Sequence, residues 1–413
     1  MLRIQVRILV VLAAFGLACP SVFALAKQKA PGKKAAAGKA KKVARATPKA
    51  VSPPHSKAVR ASYLVGHSPA SRNSRQRTRR VAYNPWTEPT YAESSDGDRV
   101  DGDDLAVRRA AVDALGRFNG SIVAVDPGNG RVLTIVNQKL AFKSGFQPCS
   151  TIKLVAALAG LNEGVIERTT MVPLGRRYSM DLTTALAHSN NAYFATIGNR
   201  LGFERVSQYA RRFGLGEKAC LNCPEEEPGV LPATTPAEGM GMMTSFGSGI
   251  NLTPLQLAAL ISAMANGGTL YQLQYPHSRE EALSFSPKVK RQLEIANLVD
   301  EVKPGMEGAV EYGTARRANY DPNEPIFGKT GTCSDVRSPG IHLGWFGSFN
   351  EIANKKLVVV VLLTGGGGIN GPVAAGVAGT MYRTLSGEGY FERSKSAALP
   401  QADAPVAVFS APD

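Results

Sequence analysis

Segments with the composition of β-strands lie at two distant places in this chain. The first is a hairpin pattern over residues 120–136, where two runs rich in Val and Ile flank the turn sequence Asp-Pro-Gly-Asn-Gly. Three more strand patterns follow at 325–332, 344–349 and 356–364. We therefore predict an α+β fold in which the early hairpin and the late strands share one antiparallel sheet.

The middle of the chain has helical periodicity instead. Apolar side chains recur there at the 3.6-residue spacing of amphipathic or buried helices. The predicted helices of the whole chain are 105–118, 150–163, 182–187, 191–213, 254–265 and 371–385. Thr253 and Pro254 provide an N-cap and a first-turn proline for the fifth of them. We expect a mostly helical subdomain and flanking helices packed on the sheet.

The excess of basic charge is confined to the start of the chain. The first 80 residues carry 18 of the 48 Lys and Arg side chains and none of the 33 acidic ones. Residues 81–413 hold the other 30 basic residues against all 33 acidic ones, a net charge of −3. The folded part is therefore not a basic nucleic-acid-binding domain, and no nucleic acid is expected as a partner.

Composition also predicts where the folded domain begins and ends. Residues 27–104 are predicted to be a disordered basic linker, since they lack the apolar surface that would offset the entropy of ordering. The linker's charge favours attraction to anionic envelope polymers or lipids. Residues 105–388 should form the domain, and the Ala- and Pro-rich residues 389–413 a disordered tail.

The first 26 residues have the layout of an export signal. Arg3 and Arg7 precede an apolar run, and Ala24-Leu25-Ala26 is a small-residue cleavage pattern. The apolar stretch is also just long enough for an uncleaved anchor. Residues 1–26 are thus predicted to be a signal peptide or membrane anchor. The rest of the chain should be exported to a periplasmic or other extracytoplasmic space, attached to the inner membrane if the segment is retained.

Four cysteines lie beyond the signal segment, and an even number in an exported chain permits two disulfides. They are Cys149, Cys220, Cys223 and Cys333. Cys220 and Cys223 are predicted to close a small structural loop, because no further zinc ligands and no thioredoxin-like pattern lie near them in sequence.

Two short motifs place hydroxyl, amine and amide groups at helix starts. Ser150 and Lys153 are three residues apart, so one helical turn puts both side chains on one face. A lysine kept neutral by burial can accept a serine proton, which makes Ser150 a candidate nucleophile. Ser189 and Asn191 lie at the break between two predicted helices. Either motif alone also fits a plain capping role.

The third motif, Lys329-Thr330-Gly331-Thr332, lies in a strand pattern. Thr330 and Thr332 point to the same side of a strand, and Gly331 lets a substrate backbone approach closely. Together with the Lys329 ammonium, they are predicted to form one wall that suits a carboxylate ligand.

The three motifs follow one another along the chain: S-x-x-K at Ser150, S-x-N at Ser189 and K-T-G at Lys329. Such a set is typical of penicillin-binding proteins and class A β-lactamases. The chain resembles the transpeptidase domain of penicillin-binding proteins over about 105–388. Beyond the motifs, the likeness extends to 120–136, 187–194, 247–258, 265–268, 310–316 and 344–349.

The resemblance implies a DD-peptidase/β-lactamase-like fold and a serine DD-transpeptidase that cross-links peptidoglycan, with no cofactor and no metal. Ser150 would attack the D-Ala-D-Ala stem peptide, and β-lactams would acylate the same hydroxyl. Lys153 would accept the proton of Ser150, and Ser189 and Lys329 would help return a proton to the leaving amine.

The same resemblance assigns the binding groups. Asn191 would bind the peptide amide, and Thr330 and Thr332 the terminal carboxylate. The backbone N–H groups of Ser150 and Thr332 would hold the oxyanion. Cys149 stands where the family usually has Gly, and Cys333 follows the third motif directly, so a disulfide between them is a hypothesis.

Other functions stay open at this point. A DD-carboxypeptidase would differ only in passing the acyl group to water. A class A β-lactamase needs a placed glutamate, and Glu217 precedes Leu221-Asn222 one position too early. A β-lactam sensor would be expected to carry a signalling membrane domain, and a degenerate non-catalytic binder to lack a motif residue. His188 and His342 are predicted to be structural, since no G-x-S-x-G elbow supports a Ser–His hydrolase.

Overall fold

The early hairpin and the late strands pair in one sheet, as predicted. The structure is a computed structural model that describes residues 83–335, 338–352 and 355–392. Its central sheet has five antiparallel strands with helices on both faces, so the predicted α+β fold is confirmed. The predicted signal or anchor at 1–26 lies outside the described residues.

Nine strands occur in the described ranges. They are β1 (Gly120–Asp126), β2 (Arg131–Val136), β3 (Val172–Gly175), β4 (Tyr178–Met180), β5 (Thr269–Gln272), β6 (Lys288–Gln292), β7 (Ile326–Asp335), β8 (Ser338–Asn350) and β9 (Val358–Gly365). The large sheet has the order β2-β1-β9-β8-β7, and β3-β4 and β5-β6 form two small ribbons. Strand β7 is therefore an edge strand of the large sheet.

Ten α-helices occur in the same part of the chain. They are α1 (Leu105–Leu115), α2 (Gln138–Ala141), α3 (Lys153–Asn162), α4 (Leu182–Ala187), α5 (Asn191–Arg212), α6 (Met240–Phe246), α7 (Pro254–Ala265), α8 (Arg279–Leu283), α9 (Ala296–Glu311) and α10 (Gly371–Gly387). Of these, no described helix has the length and apolar run needed to cross a bilayer.

The central strand β9 is buried on both faces, because successive side chains enter different cores. Val359 and Val361 pack with α1 and α10 on one face. Val360 and Leu362 pack on the other face against the helical subdomain, which includes α7. A strand that alternates between two apolar layers must be apolar throughout, which explains the unbroken run in its sequence.

Helix α7 matches its predicted bounds and is buried at all of its positions. Thr253 and Gln256 form a capping box, in which each side chain meets the backbone of the other. Helix α9 was not predicted, because Pro304 interrupts its pattern. Its burial explains why it forms: Gly305 lies directly against Leu186 of α4, where an added Cβ would be 2.7 Å from the Leu186 Cβ.

The predicted linker boundary at residue 104 is wrong. Residues 83–104 pack on the domain, where Asp98 forms an ion pair of 2.8 Å with Arg108. The Asp98 carboxylate also accepts hydrogen bonds from the N–H groups of Asn137 and Gln138. These partners are far apart in sequence, so the local composition could not predict the contact. The described structure thus begins before the predicted start, and residues 27–82 lie outside it.

The predicted tail boundary at residue 388 is also too early. Tyr390 and Phe391 are buried, and the Tyr390 hydroxyl donates to the Asp104 carboxylate at 2.9 Å. The rest of the predicted tail, 393–413, lies outside the described residues. The predicted small loop closed by Cys220 and Cys223 is confirmed by a disulfide.

Replacing Phe391 should test the corrected boundary. Phe391 is 3% exposed, so Phe391→Ala should lower the free energy of unfolding by about 3–5 kcal/mol. Leu283→Ala is the control, because Leu283 is 64% exposed and should change stability by less than about 0.5 kcal/mol. Urea denaturation of the full chain measures both. Equal, small effects would show that Phe391 is not part of the core.

Candidate active site

Ser150 lies in a tight turn directly before a buried helix. The turn is a 3-10 segment, Cys149–Ile152, and α3 follows from Lys153. The predicted helix start is thus confirmed in place but begins as 3-10 rather than α. Cys149 has a φ of 51°, in the left-handed region that L side chains rarely adopt. Ser150 is 8% exposed, so the residue is almost completely buried.

Lys153 is fully buried and surrounded by oxygen atoms. Its Nζ lies 2.8 Å from Ser150 Oγ. It also lies 2.8 Å from the Ser189 carbonyl oxygen, 3.0 Å from Ser189 Oγ and 2.6 Å from Asn191 Oδ1. An ammonium donates three hydrogen bonds, and a neutral amine has a lone pair that can accept one. Lys153 can therefore either donate to Ser150 or accept its proton.

Burial and a second lysine make the neutral form of Lys153 accessible. Removal from water and, as a smaller effect, the nearby positive charge of Lys329 lower the pKa of Lys153 to about 6. The rings of Phe194 and Phe246 lie 5.8 and 5.9 Å from the ammonium and exclude water beside it. At neutral pH the amine is therefore mostly unprotonated, which is the form that can act as a base.

The Ser189 loop brings the second motif to the same amine. Helix α4 ends at Ala187 and α5 begins at Asn191, which confirms the predicted junction. Asn190 caps α5 by accepting from the Tyr193 N–H at 2.9 Å, and Ser189 has a φ of 52°. This conformation turns the Ser189 hydroxyl toward Lys153. Because Asn191 Oδ1 already accepts from Lys153, its exposed amide nitrogen is the end that remains for a ligand.

The third motif does not form the single wall predicted from sequence. Lys329 and Gly331 lie on the face of β7 that packs toward the helical subdomain, where a Cβ at Gly331 would be 3.2 Å from the Cys149 Cβ. Thr330 and Thr332 lie on the other face, against the start of α10 at Gly371. The correction follows from strand geometry, since residues 329 and 330 must point to opposite faces.

Gly331 also serves the protein itself. Besides Cys149 Cβ, a side chain at this position would meet the Pro148 carbonyl oxygen at 3.0 Å. The glycine therefore lets β7 lie close against the turn that carries Ser150. This contact is a structural reason for the absence of a side chain at residue 331, in addition to the predicted approach of a substrate backbone.

Lys329 is also fully buried, and this burial lowers its pKa to about 7. Its Nζ donates to the Thr330 carbonyl oxygen at 3.1 Å. The charges of Lys153 and Lys329 repel each other when both lysines are protonated. The pair therefore favours a state with one proton fewer than two exposed lysines would carry.

Thr314 belongs to the site, although it was not predicted as a site residue. Its Oγ1 lies 2.6 Å from Thr330 Oγ1, and its N–H donates to the Ala187 carbonyl oxygen at 3.1 Å. Thr314 thus joins the second motif to the third. The signal was available, because the segment 310–316 is part of the family resemblance. Thr332 is exposed, and its Oγ1 accepts from the Gly371 N–H at 2.8 Å, so its own proton can be donated to a ligand.

The hypothesis of a disulfide beside Ser150 is confirmed. Cys149 and Cys333 are bonded, with their Cα atoms 5.5 Å apart. The hydrogen-bond cluster of the site consists of Ser150, Lys153, Ser189 and Asn191. His188 lies outside this cluster, and its ring contacts Tyr312 at a centroid distance of 5.7 Å. Within the described ranges, no group of three or more His, Cys, Asp or Glu side chains is arranged to hold a metal ion.

Comparison with known families agrees with the fold. The model of the penicillin binding protein transpeptidase domain matches residues 120–383, and the chain belongs to this family. Stage V sporulation protein D of Bacillus subtilis is 28% identical over 63% of this chain and 48% of its own length. Peptidoglycan D,D-transpeptidase MrdA of Acinetobacter baumannii is 24% identical over 55% of this chain and 43% of its own length. The chain thus spans about half the length of these curated relatives.

Solved structures show the same fold. The transpeptidase domain of Burkholderia pseudomallei penicillin-binding protein 3 is 20% identical, with a TM-score of 0.60, and the match covers 70% of this chain and 96% of that domain. Pseudomonas aeruginosa PBP2, solved in complex with WCK 5153, is 23% identical with a TM-score of 0.57. That match covers 72% of this chain and 79% of the solved one.

The buried charge of Lys329 should reduce the stability of the protein. An exposed lysine has a pKa of 10.5, so the penalty is complete below about pH 7 and disappears as the pH approaches 10.5. Lys329→Met keeps the apolar stem and should raise the free energy of unfolding by about 0.5–2 kcal/mol at pH 7. The gain should shrink as the pH rises.

Urea denaturation at pH 6, 7, 8.5 and 10 measures this trend. Lys139→Met is the matched control, because Lys139 is exposed and its ammonium makes only an exposed hydrogen bond, to the Asp96 carbonyl oxygen. A pH-independent effect of Lys329→Met would contradict the burial argument.

Proposed function

We propose that this chain is a serine DD-transpeptidase that acts on the D-Ala-D-Ala stem peptides of peptidoglycan and is acylated by β-lactams. The observation that supports this most is the position of the Lys153 amine, buried and 2.8 Å from Ser150 Oγ. A base with a pKa near the working pH and within hydrogen-bond reach is what activation of a serine requires. Membership of the transpeptidase family supports the choice of substrate.

Acylation begins with transfer of the Ser150 proton to Lys153. The Ser150 oxygen forms a bond with the carbonyl carbon of the penultimate D-Ala, and the resulting oxyanion is held by the N–H groups of Ser150 and Thr332. The C–N bond to the terminal D-Ala then breaks. Ser189, which contacts Lys153 through both its hydroxyl and its carbonyl oxygen, passes the proton to the leaving amine.

Deacylation reverses these roles with a new acceptor. The amine of a neighbouring stem peptide gives up a proton through Ser189 to Lys153 and attacks the acyl carbon. The bond from that carbon to the Ser150 oxygen then breaks, and Ser150 takes this proton from Lys153. The Lys329 ammonium raises the acidity of Lys153 throughout, because the two positive charges repel. Transfer to an amine cross-links two stems, whereas transfer to water would make the chain a DD-carboxypeptidase.

Substrate binding uses groups from both sides of the cleft. The exposed amide nitrogen of Asn191 donates to a carbonyl oxygen of the stem peptide. The terminal carboxylate meets the Thr332 hydroxyl and the positive charge of Lys329, while Thr330 acts through its hydrogen bond with Thr314. Gly331 keeps the strand close to the nucleophile.

The environment of Glu217 favours transfer over β-lactam hydrolysis. Glu217 forms ion pairs with Lys290, at 3.2 Å, and with Arg291. Those charges help to lower its pKa, and they occupy its carboxylate oxygens. A deacylating glutamate must activate a water, so a carboxylate held by two cations is poorly suited to that role.

The proposal includes the location and layout of the chain. Residues 1–26 act as a signal peptide or anchor, and the basic residues 27–82 tether a domain of residues 83–392 outside the cytoplasm. The substrate supports this, because peptidoglycan stems lie outside the inner membrane.

Covalent labelling tests the nucleophile. The full chain incubated with a fluorescent penicillin should carry a stable label, and Ser150→Ala should carry none. Ser284→Ala is the control, since Ser284 is an exposed serine of similar size and should leave labelling unchanged. An unlabelled native chain would refute the proposal, and rapid release of label would indicate a β-lactamase. Mass spectrometry of stem-peptide products then separates cross-linking from hydrolysis.

The pH dependence of labelling tests the base. Lys153 can accept a proton only when neutral, so the acylation rate should fall about tenfold per pH unit below about pH 6 and level off above it. Lys153→Arg keeps a permanent positive charge, so its rate should lie about 10²–10⁴-fold below the native plateau and should not vary over these pH values. Initial labelling rates from pH 4.5 to 8 provide the measurement. A rate that is flat across this range would exclude Lys153 as the base.

A further inference from the structure

The Cys149–Cys333 disulfide connects the two walls of the cleft. Its cysteines are 184 residues apart in sequence. Cys149 immediately precedes Ser150, and Cys333 immediately follows the K-T-G-T segment of β7. The bond therefore joins the turn that carries the nucleophile to the strand that carries Lys329 and Thr332.

The backbone of Cys149 has a conformation suited to glycine. Its φ of 51° lies in the left-handed region, where an L side chain is strained and a glycine is not. The family that this chain resembles usually has Gly at this position. The direction of the next residue, Ser150, depends on this φ. A cysteine at this position therefore depends on other contacts to keep this backbone conformation, whereas a glycine would not.

The disulfide lies in a closely packed seam. Cys149 is fully buried and Cys333 is 9% exposed. The neighbouring Gln147 carbonyl oxygen accepts from the Trp345 Nε1–H at 2.9 Å, which ties the same turn to β8. A Cβ at Gly331 would be 3.2 Å from Cys149 Cβ, so strand and turn are in direct contact. A change at the disulfide is therefore transmitted to the turn.

We propose that Cys149 and Cys333 are positioning residues for the acylation of Ser150. Their disulfide holds residue 149 in the left-handed conformation that a glycine would adopt alone, and it fixes Ser150 relative to Lys329 and Thr332. The inference deepens the proposed function, on which its kinetic readout rests. Reduction by a dithiol reagent converts the bond to two thiols and the reagent to its own cyclic disulfide, and it releases this constraint.

Two double variants separate the backbone conformation from the covalent link. In Cys149→Ser with Cys333→Ser, the link is lost and residue 149 can relax toward negative φ. The maximal acylation rate of this variant should be about tenfold to a hundredfold lower than that of the native chain. The β-lactam concentration that gives half of the maximal rate should change much less. Cys149→Gly with Cys333→Ser loses the link but keeps the conformation, and it should recover most of the rate.

The second disulfide provides the matched control. Cys220→Ser with Cys223→Ser removes a disulfide that spans three residues and lies outside the hydrogen-bond cluster of the cleft. This variant should acylate like the native chain and lose its rate on treatment with dithiothreitol to the same extent. The Cys149→Ser, Cys333→Ser variant should be insensitive to dithiothreitol.

Hydrogen exchange gives a readout that does not need catalysis. Amides of residues 147–153 and 326–334 should exchange faster in the serine double variant than in the native chain, at a temperature where both remain folded. Unchanged exchange there, or an acylation rate within twofold of the native value, would overturn the inference. Failure of the glycine variant to recover would also overturn it. Absence of labelling in the oxidised native chain would instead refute the proposed function, and hydrogen exchange would still decide whether the disulfide positions the turn.

Discussion

The candidate active site depends on one amine that has been removed from water. Lys153 satisfies its hydrogen-bonding capacity with oxygens of Ser150, Ser189 and Asn191, which come from two segments of the chain. These contacts hold the Ser189 loop against α3, so the amine organises the site as well as tuning it. Burial of an ammonium destabilises the charged form, and the second buried lysine, Lys329, adds to the effect. This burial lowers the stability of the protein, and it leaves an amine that is mostly neutral near pH 7.

The sheet edge provides the other half of the site. Strand β7 separates two cores, so its side chains alternate between the helical subdomain and α10. Lys329 therefore approaches Lys153 from one face, whereas Thr332 is anchored on the other by the Gly371 N–H. Because β7 is an edge strand, groups on both of its faces can reach a ligand beside it. Backbone geometry thus places Lys329 and Thr332 on different faces, although they are close in sequence.

Sequence patterns predicted the elements whose stability is local. The hairpin of β1 and β2, the capped helix α7 and the junction at Ser189 were found because turn residues, caps and apolar spacing all lie within a few residues. Helix α9 was missed because Pro304 breaks its pattern and packing against α4 stabilises it instead. The contacts of residues 83–104 were missed for the same reason, since Asp98 meets partners that the sequence does not place near it.

The sequence by itself determined the family, the order of the three motifs and the residue types available for the chemistry. Only the tertiary structure decided that Ser150 and Ser189 share one amine, that Lys329 and Thr332 occupy opposite faces, and that Thr314 joins the cluster. The reason is physical. A pKa depends on the exclusion of water by side chains from many segments, and a strand's two faces acquire meaning only when different cores cover them. Both conditions arise from long-range packing.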